Sequence, residues 1–221
     1  MEVSEKAIYT MQEEGVDLIE LGVPFSDPAA DGPVIQRADE RALAQGVDIF
    51  KVFELVRKIR NNVEVPMVFL LYYNVMVQYG IEKFFKRCQE TGVDGLIIPD
   101  LPYEESDEIK EYTEKYGVYQ ISLVSPTSKD RIKNIAKDAK GFLYCISSLG
   151  VTGEKSSFVT NFDEFVGTIK KYTDVPACVG FGVSNGKQVK ELTKYFDGAI
   201  VGSAIVKSIA TGESVEERIN N

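Results

Sequence analysis

The sequence contains no histidine and no tryptophan in 221 residues, and only three cysteines. Without histidine there can be no Ser-His-Asp triad, no Cys-His pair and almost none of the usual catalytic zinc sites. Cys88, Cys145 and Cys178 are widely spaced and form no CxxC pair. This spacing is typical of reduced thiols that fill apolar space, not of a disulfide framework. Carboxylates, tyrosine, lysine or backbone groups must therefore carry any chemistry.

Positive charge is also scarce, with 25 Lys and Arg against 34 Asp and Glu and a net charge of −9. This balance argues against a broad surface for nucleic acid or for an anionic membrane. No apolar run approaches the length that spans a membrane, and residues 1–15 are acidic and amphipathic, unlike a secretory signal. We therefore predict a cytoplasmic protein without nucleic-acid or membrane partners, in which local groups hold any anionic substrate.

Seven short apolar runs recur along the chain, separated by charged segments with helical spacing. They cover residues 17–25, 66–74, 95–100, 118–126, 141–148, 177–184 and 198–204. Apolar strands alternating with amphipathic helices indicate parallel strands buried on both faces, in a doubly wound sheet or a (β/α)8 barrel. The motifs favour an α/β fold of the TIM-barrel type. At this length we predict one domain over residues 1–221.

Glycine-rich loops follow the last two predicted strands. Residues 180–184 read GFGVS, and Gly202-Ser203 leads from the final strand into a helix. In TIM barrels such loops often bind phosphate through backbone N–H groups and a helix N-terminus. Gly182, Gly202 and Ser203 are therefore candidate phosphate ligands, and Gly153 could supply a further N–H. The alternative is that these glycines only form tight turns.

Glu20 is the notable residue of the first strand. Side chains alternate along a strand, so Leu18, Glu20 and Gly22 share one face while three apolar residues share the other. Because the apolar face must meet the helices, we expect Glu20 to point into the barrel. Burial there would raise its pKa toward neutrality, as a general acid or base requires. A salt-bridged structural glutamate is the alternative, but no strand core contains a Lys or Arg to pair with it.

The segment from Pro24 to Pro33 follows this strand and is rich in proline and in small and acidic residues. It predicts a structured loop at the catalytic end. Asp31 could accept a hydrogen bond from a ligand N–H, whereas Asp27 alone is better explained as a turn former. No strand lysine supports amine-based aldol chemistry. Acid–base cleavage of a C–C bond, proton transfer and binding without chemistry all remain open on this reasoning.

Read as a unit, residues 20–36 (ELGVPFSDPAADGPVIQ) resemble the signature of the tryptophan synthase alpha family. Further similarity runs along essentially the whole chain, and the segments that carry it are residues 72–74, 95–102, 125–127, 144–153, 180–184 and 201–207. The resemblance implies a lyase of tryptophan biosynthesis that cleaves indole-3-glycerol phosphate into indole and glyceraldehyde 3-phosphate.

The resemblance also implies roles for individual residues. Glu20 matches the catalytic carboxylate that protonates the indole ring carbon, and Asp31 matches the carboxylate that holds the indole N–H. The remaining substrate-binding positions implied by the resemblance are Tyr72, Tyr144, Thr152, Gly153, Gly182, Gly202 and Ser203. No metal site is implied.

The family resemblance implies a partner as well. We expect an alpha2-beta2 heterotetramer with a beta subunit that carries pyridoxal phosphate, and no cofactor in this chain. Pro24 and Asp27 are the expected contacts with that subunit.

Two alternatives and one departure accompany this interpretation. Another phosphate-binding barrel of amino-acid biosynthesis, such as an indoleglycerol-phosphate synthase or an isomerase, would share the last two loops. A paralogue that binds a partner without turnover is the second alternative.

The family has a first strand that this chain lacks, because only a helix-like segment, Val3 to Glu14, precedes the first apolar run. We expect that strand to pair with the strands at 17–25 and 198–204.

Overall fold

A computed structural model describes residues 1–146, 162–180 and 182–211. The strands are β1 (Ile19–Gly22), β2 (Met67–Leu70), β3 (Gly95–Ile97), β4 (Tyr119–Gln120), β5 (Ser122–Val124), β6 (Leu143–Ile146), β7 (Ala177–Gly180) and β8 (Gly198–Ala199). The helices are α1 (Glu2–Glu13), α2 (Pro33–Ala44), α3 (Ile49–Ile59), α4 (Tyr73–Tyr79), α5 (Ile81–Thr91), α6 (Asp107–Tyr116), α7 (Ile132–Asp138), α8 (Phe162–Lys170), α9 (Gly186–Leu192) and α10 (Ser203–Ala210). Short 3-10 helices cover Tyr103–Glu105 and Pro126–Arg131.

All strand pairs are parallel, and they form two four-stranded sheets with the orders β1-β2-β3-β4 and β5-β6-β7-β8. Each of the seven apolar runs contains a strand, as predicted. The run at 118–126 is divided, however, because Ile121 is buried between β4 and β5 without belonging to either strand. The two pieces belong to different sheets.

The described residues form two compact units. The first holds residues 1–120 and 206–211 of the described chain, and the second is drawn from residues 121–205. The single domain expected from the chain length stays a prediction.

The core of the first unit lies between one face of its sheet and the helices. Phe53 of α3, Phe69 of β2 and Phe84 of α5 are fully buried, and the Phe53 ring centroid lies 5.4 Å from that of Phe69 and 5.3 Å from that of Phe84. Helix α3 presents a buried stripe at Val52, Phe53, Leu55, Val56 and Ile59, the spacing of an amphipathic helix. Its start is fixed by the Asp48 carboxylate, which accepts a hydrogen bond from the Lys51 N–H at 3.0 Å.

Helix α1 confirms the predicted N-terminal helix and covers the same core. Ala7 and Ile8 are buried on its inner side. Near its end, the Gln12 amide donates to the Asn62 carbonyl at 2.9 Å and accepts from the Glu64 N–H at 2.7 Å. Because both halves of the amide are used, the helix end is fixed to the turn before β2.

Strands β1 and β8 each have one neighbour within the described residues. β1 pairs with β2, and β8 pairs with β7. An additional strand that pairs with both stays a prediction.

In each unit, an aspartate accepts hydrogen bonds from the first residue of one strand and from a basic side chain. In the first unit, Asp94 precedes β3 and accepts hydrogen bonds from the Met67 N–H at 2.8 Å and from Arg60 at 2.9 Å. In the second, Asp197 precedes β8 and accepts from the Ala177 N–H at 2.7 Å and from Lys170 at 2.6 Å. Each aspartate thus joins the first residue of the preceding strand to a basic side chain at the C-terminal end of a helix. We call these the two aspartate anchors.

Asp197→Asn is expected to lower the stability of the protein by about 1 kcal/mol, since the variant keeps one hydrogen bond and loses a partly exposed ion pair. Burial would raise the pKa of Asp197, but hydrogen bonds from Lys170 and Ala177 outweigh burial and hold it below its ordinary 3.8. A lowered pKa contributes stability above pH 3.8 that is lost as pH falls through the folded value. Thermal melts at pH 7 and pH 3 measure this difference.

The exposed Asp174 provides a matched control in the same unit. Asp174→Asn should leave the melting temperature unchanged at both pH values. An Asp197→Asn variant that melts like Asp174→Asn at pH 7 would show that the anchor contributes nothing.

Candidate active site

Strand β1 divides its side chains between two environments, as the alternation predicts. Ile19 and Val23 are buried in the helix-side core, and Leu21 packs against it. Glu20 lies on the opposite face, where the strand register places it beside Val68 of β2, which in turn neighbours Gly95 of β3. The predicted orientation of Glu20 away from the helices is confirmed.

The Glu20 carboxyl group is largely withdrawn from water. Its Oε2 atom is inaccessible to solvent and has no hydrogen-bond partner among the described residues. Burial, and secondarily the negative charge of Asp31, raise the pKa of Glu20 from its ordinary 4.5 to about 7. Glu20 can therefore exist as a proton donor or as a proton acceptor near neutral pH.

Asp31 lies close enough to influence Glu20 and is held by a different set of contacts. The Tyr72 hydroxyl donates to Asp31 Oδ2 at 2.7 Å and accepts from the Ala30 N–H at 2.9 Å. Phe25 stacks on the Tyr72 ring at 5.0 Å between centroids. Burial raises the pKa of Asp31, and the Tyr72 hydrogen bond only partly opposes that rise. The Tyr72 pKa is raised as well, first by burial and then by its bond to Asp31.

The loop between β1 and α2 is built from tight turns. Asp27 accepts the Ala29 N–H at its carbonyl at 2.8 Å, and Pro28 accepts the Asp31 N–H at 3.0 Å. The Asp27 carboxylate also accepts from the Ser26 hydroxyl at 2.6 Å. These contacts confirm the structured loop. They also give Asp27 the turn-forming contacts expected of it.

The two residues proposed as partner contacts differ in accessibility. Pro24 is buried within the chain, whereas Asp27 is exposed. A pocket of about 400 Å³ opens beside Asp27, between residues 25–29 and the Gln36, Glu40 and Leu43 side of α2. Glu20 and Asp31 do not line it, so this pocket is separate from the paired carboxylates.

Helix α2 adds a third carboxylate that the sequence patterns do not single out. Asp39 is half-buried, on the less exposed side of this helix. Burial, followed by the charge of Asp31, raises its pKa from 3.8 to about 7. The signal that could have revealed it is its position eight residues after Asp31, on the same side of α2 as Val34, Ile35, Ala38 and Ala42.

The second unit contains the remaining described candidates. Tyr144 of β6 extends across Gly180 at the end of β7, and a side chain at Gly180 would meet the Tyr144 ring, with its Cβ 2.6 Å from Cζ. Gly180 was not among the predicted site residues. Because glycine has no side chain, position 180 leaves room for the Tyr144 phenol.

Three predicted phosphate ligands follow strands of this unit. Gly182 has a φ of +74°, a conformation that strongly favours glycine. Gly202 is exposed and immediately precedes Ser203, the first residue of α10. Their positions agree with a backbone anion site at a helix start. Thr152 and Gly153 lie outside the described residues.

Within residues 1–146, 162–180 and 182–211, no group of three or more Asp, Glu or Cys side chains could hold a metal ion. In the same ranges, no helix is long and apolar enough to cross a membrane.

The family model of the tryptophan synthase alpha chain matches residues 1–221. The chain is 48% identical to the tryptophan synthase alpha chain of Alkaliphilus metalliredigens over 212 residues, covering 96% of this chain and 80% of that protein. It is 47% identical to that of a Thermoanaerobacter species over 219 residues, covering 99% and 84%.

Solved structures agree with the sequence relatives. The tryptophan synthase subunit alpha of Campylobacter jejuni matches with a TM-score of 0.89 and 41% identity, covering 99% of this chain and 88% of that one. The aminoacrylate-bound tryptophan synthase of M. tuberculosis matches with a TM-score of 0.86 and 33% identity, covering 99% and 83%. The predictions of an α/β barrel and of a lyase of tryptophan biosynthesis are confirmed. The chain belongs to the tryptophan synthase alpha chain family.

Proposed function

We propose that Glu20 and Asp31 perform the family reaction, the cleavage of indole-3-glycerol phosphate into indole and glyceraldehyde 3-phosphate. One observation carries this proposal. Glu20 has a buried, unpartnered carboxyl oxygen and a pKa of about 7, and it lies within electrostatic reach of the hydrogen-bonded Asp31. Two carboxylates in unlike environments are suited to different tasks in one reaction.

The chemistry assigns a task to each carboxylate. Protonated Glu20 donates its proton to the indole carbon that bears the glycerol phosphate chain, and positive charge then develops on the ring nitrogen. Asp31 accepts a hydrogen bond from that N–H and stabilises the charge. When the C–C bond breaks, the chain hydroxyl becomes an aldehyde and releases a proton, which the Glu20 carboxylate accepts. Glu20 thus returns to its starting state.

The contacts of Tyr72 support these separate roles of Glu20 and Asp31. Its hydroxyl donates to Asp31 Oδ2 and is itself fixed by the Ala30 N–H. The bond favours the charged form of Asp31, so that the carboxylate can accept the indole N–H. Tyr72 is therefore proposed to orient Asp31 besides lining the substrate site.

In the second unit, we propose that Gly182, Gly202 and Ser203 bind the substrate phosphate, together with Gly153. The positive φ at Gly182 and the start of α10 at Ser203 support backbone donors at these points. Tyr144, packed over Gly180, is proposed to contact the substrate, and Thr152 is assigned a contact on family resemblance alone.

The family implies a beta subunit as partner, and we propose an alpha2-beta2 heterotetramer in which pyridoxal phosphate resides in the beta subunit. Asp27 is the exposed candidate contact, and it lines the 400 Å³ pocket together with Glu40. Because both side chains are acidic, we propose that a basic side chain of the partner enters this pocket. Pro24 is buried and would act only by shaping the loop.

The test is an assay of indole release from indole-3-glycerol phosphate by the purified chain, with and without a beta subunit. Asp31→Asn is expected to lower kcat by about 100-fold, since the neutral amide no longer stabilises charge at the indole nitrogen. Binding of glycerol phosphate should change little. Tight binding of substrate without any indole release would instead support a partner-binding paralogue.

The matched control is Asp107→Asn. Asp107 is an exposed aspartate in the first turn of α6 in the same unit, and its carboxylate lies 3.8 Å from Lys110 Nζ. Equal losses of kcat in the Asp31 and Asp107 variants, measured at equal folded fraction, would contradict the special role of Asp31.

A further inference from the structure

The loop that follows β1 contacts the Tyr72 phenol both on its ring and on its hydroxyl group. Tyr72 lies just beyond the end of β2 and is buried. The Phe25 ring stacks on its ring, with centroids 5.0 Å apart and planes inclined by 24°. At the other end of the phenol, the hydroxyl accepts from the Ala30 N–H at 2.9 Å and donates to Asp31 Oδ2 at 2.7 Å. Both ends of one side chain are thus held by the same loop.

The direction of the Tyr72 hydroxyl proton depends on the plane of the ring. The Ala30 N–H can only donate, so it uses the phenolic oxygen as an acceptor and leaves the one hydroxyl proton for Asp31. Conjugation with the ring keeps a phenolic O–H bond in the ring plane. A rotation of the Tyr72 ring would therefore turn this proton away from the Asp31 carboxylate.

The backbone of Asp31 is fixed by other contacts. Its N–H donates to the Pro28 carbonyl at 3.0 Å, and its carbonyl accepts from the Gln36 side chain at 2.8 Å. These bonds place the backbone but leave the carboxylate free to turn about its side-chain bonds. The hydrogen bond from Tyr72 is made to the carboxylate itself, so the ring plane of Tyr72 sets the orientation of this group.

Phe25 is placed to control that ring plane. It is half-buried and does not belong to the hydrophobic core between the sheet and the helices of the first unit. Among the described residues, its ring contact is with Tyr72, and it also lines the pocket of about 400 Å³ beside Asp27. The aromatic contact of Phe25 is therefore made with the residue that holds Asp31.

We propose that Phe25 is a positioning residue that acts on the reaction through Tyr72 and Asp31. By stacking on the phenol, it keeps the Tyr72 hydroxyl aimed at Asp31 Oδ2, so that the carboxylate is oriented to accept the indole N–H. Stacked rings attract each other beyond the effect of area burial, and an aliphatic side chain has no flat face that reproduces this contact. The inference rests on the proposed function, because it assigns Phe25 to the same reaction.

The first test is the kinetics of Phe25→Leu with a saturating beta subunit. Leucine is apolar but has no ring, so kcat should fall by about tenfold as Asp31 loses its orientation. KM should stay within about twofold, because Asp31 is needed mainly for the charge that develops in the transition state. Phe25→Met repeats the test with a flexible apolar side chain, should the leucine variant fail to fold. Parent-like kcat in both variants would overturn the inference.

Rescue by a conservative change separates positioning from volume. Phe25→Tyr keeps the aromatic face, and its added hydroxyl can extend toward the open pocket. This variant should restore kcat to within about twofold of the parent. A Phe25→Tyr protein as slow as Phe25→Leu would show that the stacked ring is not the feature that matters.

A double-mutant cycle tests whether Phe25 acts through Tyr72. Tyr72→Phe removes the hydroxyl and keeps the ring, so it should also lower kcat by about tenfold. Adding Phe25→Leu should cause no further loss, since no hydroxyl remains to be aimed. Losses that multiply in the double variant would mean that Phe25 acts by another route, and they would overturn the inference.

Phe50→Leu is the matched control. Phe50 is an exposed phenylalanine of the same unit, and its ring centroid lies 4.9 Å from that of Tyr79. The same substitution there removes a ring contact that does not involve Tyr72 or Asp31, and kcat should remain that of the parent. An equal loss in the Phe50 variant would show that the effect is not specific to the ring on Tyr72.

Carboxyl NMR titration provides a readout that does not depend on turnover. Burial raises the pKa of Asp31, and the hydrogen bond from Tyr72 opposes that rise. The Asp31 pKa should therefore rise further in Phe25→Leu, as it should in Tyr72→Phe, and stay unchanged in Phe50→Leu. An Asp31 pKa that Phe25→Leu does not move would overturn the inference. A parent chain that releases no indole with the beta subunit refutes the proposed function, whereas normal turnover in Phe25→Leu refutes only the role of Phe25.

Discussion

Glu20→Gln is expected to abolish indole release and, at the same time, to make the folded protein more stable above pH 7. The glutamine keeps the shape of the side chain but cannot transfer a proton, so kcat should fall by about 100- to 10,000-fold. Binding of a substrate analogue should remain within about tenfold, because the shape of the site is preserved. Steady-state kinetics and equilibrium binding separate the two effects.

The stability gain follows from the raised pKa of Glu20. The folded state binds its proton up to pH 7, whereas the unfolded chain releases it near 4.5. The contribution of Glu20 to the free energy of unfolding is therefore fully present below pH 4.5, and it is lost as pH rises through 7. At 1.36 kcal/mol per pH unit, this difference corresponds to about 3 kcal/mol above pH 7, which the neutral glutamine should restore. Denaturant unfolding at pH 4.5 and pH 8 measures the gain.

Glu13→Gln serves as the control, because Glu13 is an exposed glutamate at the end of α1. It should alter neither kcat nor the dependence of stability on pH. A Glu20→Gln protein that turns over substrate normally would refute the catalytic role. One that is inactive but no more stable at pH 8 would refute the buried, raised-pKa state of Glu20.

Gly180→Ala should displace the Tyr144 phenol and so impair the second unit. The added Cβ would lie 2.6 Å from Tyr144 Cζ, much closer than carbon atoms can approach, and the ring must move. We expect a loss of about 1–3 kcal/mol in stability. Because a displaced substrate contact is costly, kcat/KM should fall by about 100-fold. Thermal melts and indole-release kinetics measure the two losses.

Gly167→Ala is the matched control for this substitution. Gly167 is exposed in α8 of the same unit, and no atom lies within 4 Å of the added carbon. Alanine should raise stability there by up to about 1 kcal/mol, as expected for a helix interior. Adding Tyr144→Ala to Gly180→Ala should recover stability without recovering activity. If the single variant Gly180→Ala is stable and fully active, the position of the Tyr144 ring does not depend on the absence of a side chain at residue 180.

The sequence is sufficient to predict the face of Glu20, since strand alternation is a rigid geometric rule. The same rule and the apolar runs locate all seven strand segments. The sequence cannot show that the run at 118–126 is divided between two sheets, because its residue pattern does not reveal where hydrogen bonding passes from one neighbouring strand to another. Pairing partners depend on tertiary packing, which local periodicity does not encode.

The chemistry of the site was predictable where a residue type sits in a strong pattern, as with Glu20 and Asp31. Asp39 was not, because α2 has no buried residue and the sequence therefore offers no strong apolar stripe against which a carboxylate would stand out. The role of Gly180 was not predictable from the sequence for another reason. A glycine in a turn motif has an ordinary explanation in conformational freedom, and only the structure shows the Tyr144 ring over it.

The two aspartate anchors have a consequence for how this protein can be altered. They lie where β2, β3, β7 and β8 begin, whereas Tyr72 follows the end of β2 and Gly182 follows the end of β7. Resistance to unfolding and substrate chemistry are thus assigned to opposite ends of the same strands. Loops that follow the strands can be exchanged to accept other substrates while the anchors continue to set strand register. Directed evolution of new lyase specificity should therefore spare Arg60, Asp94, Lys170 and Asp197 and vary the strand-end loops.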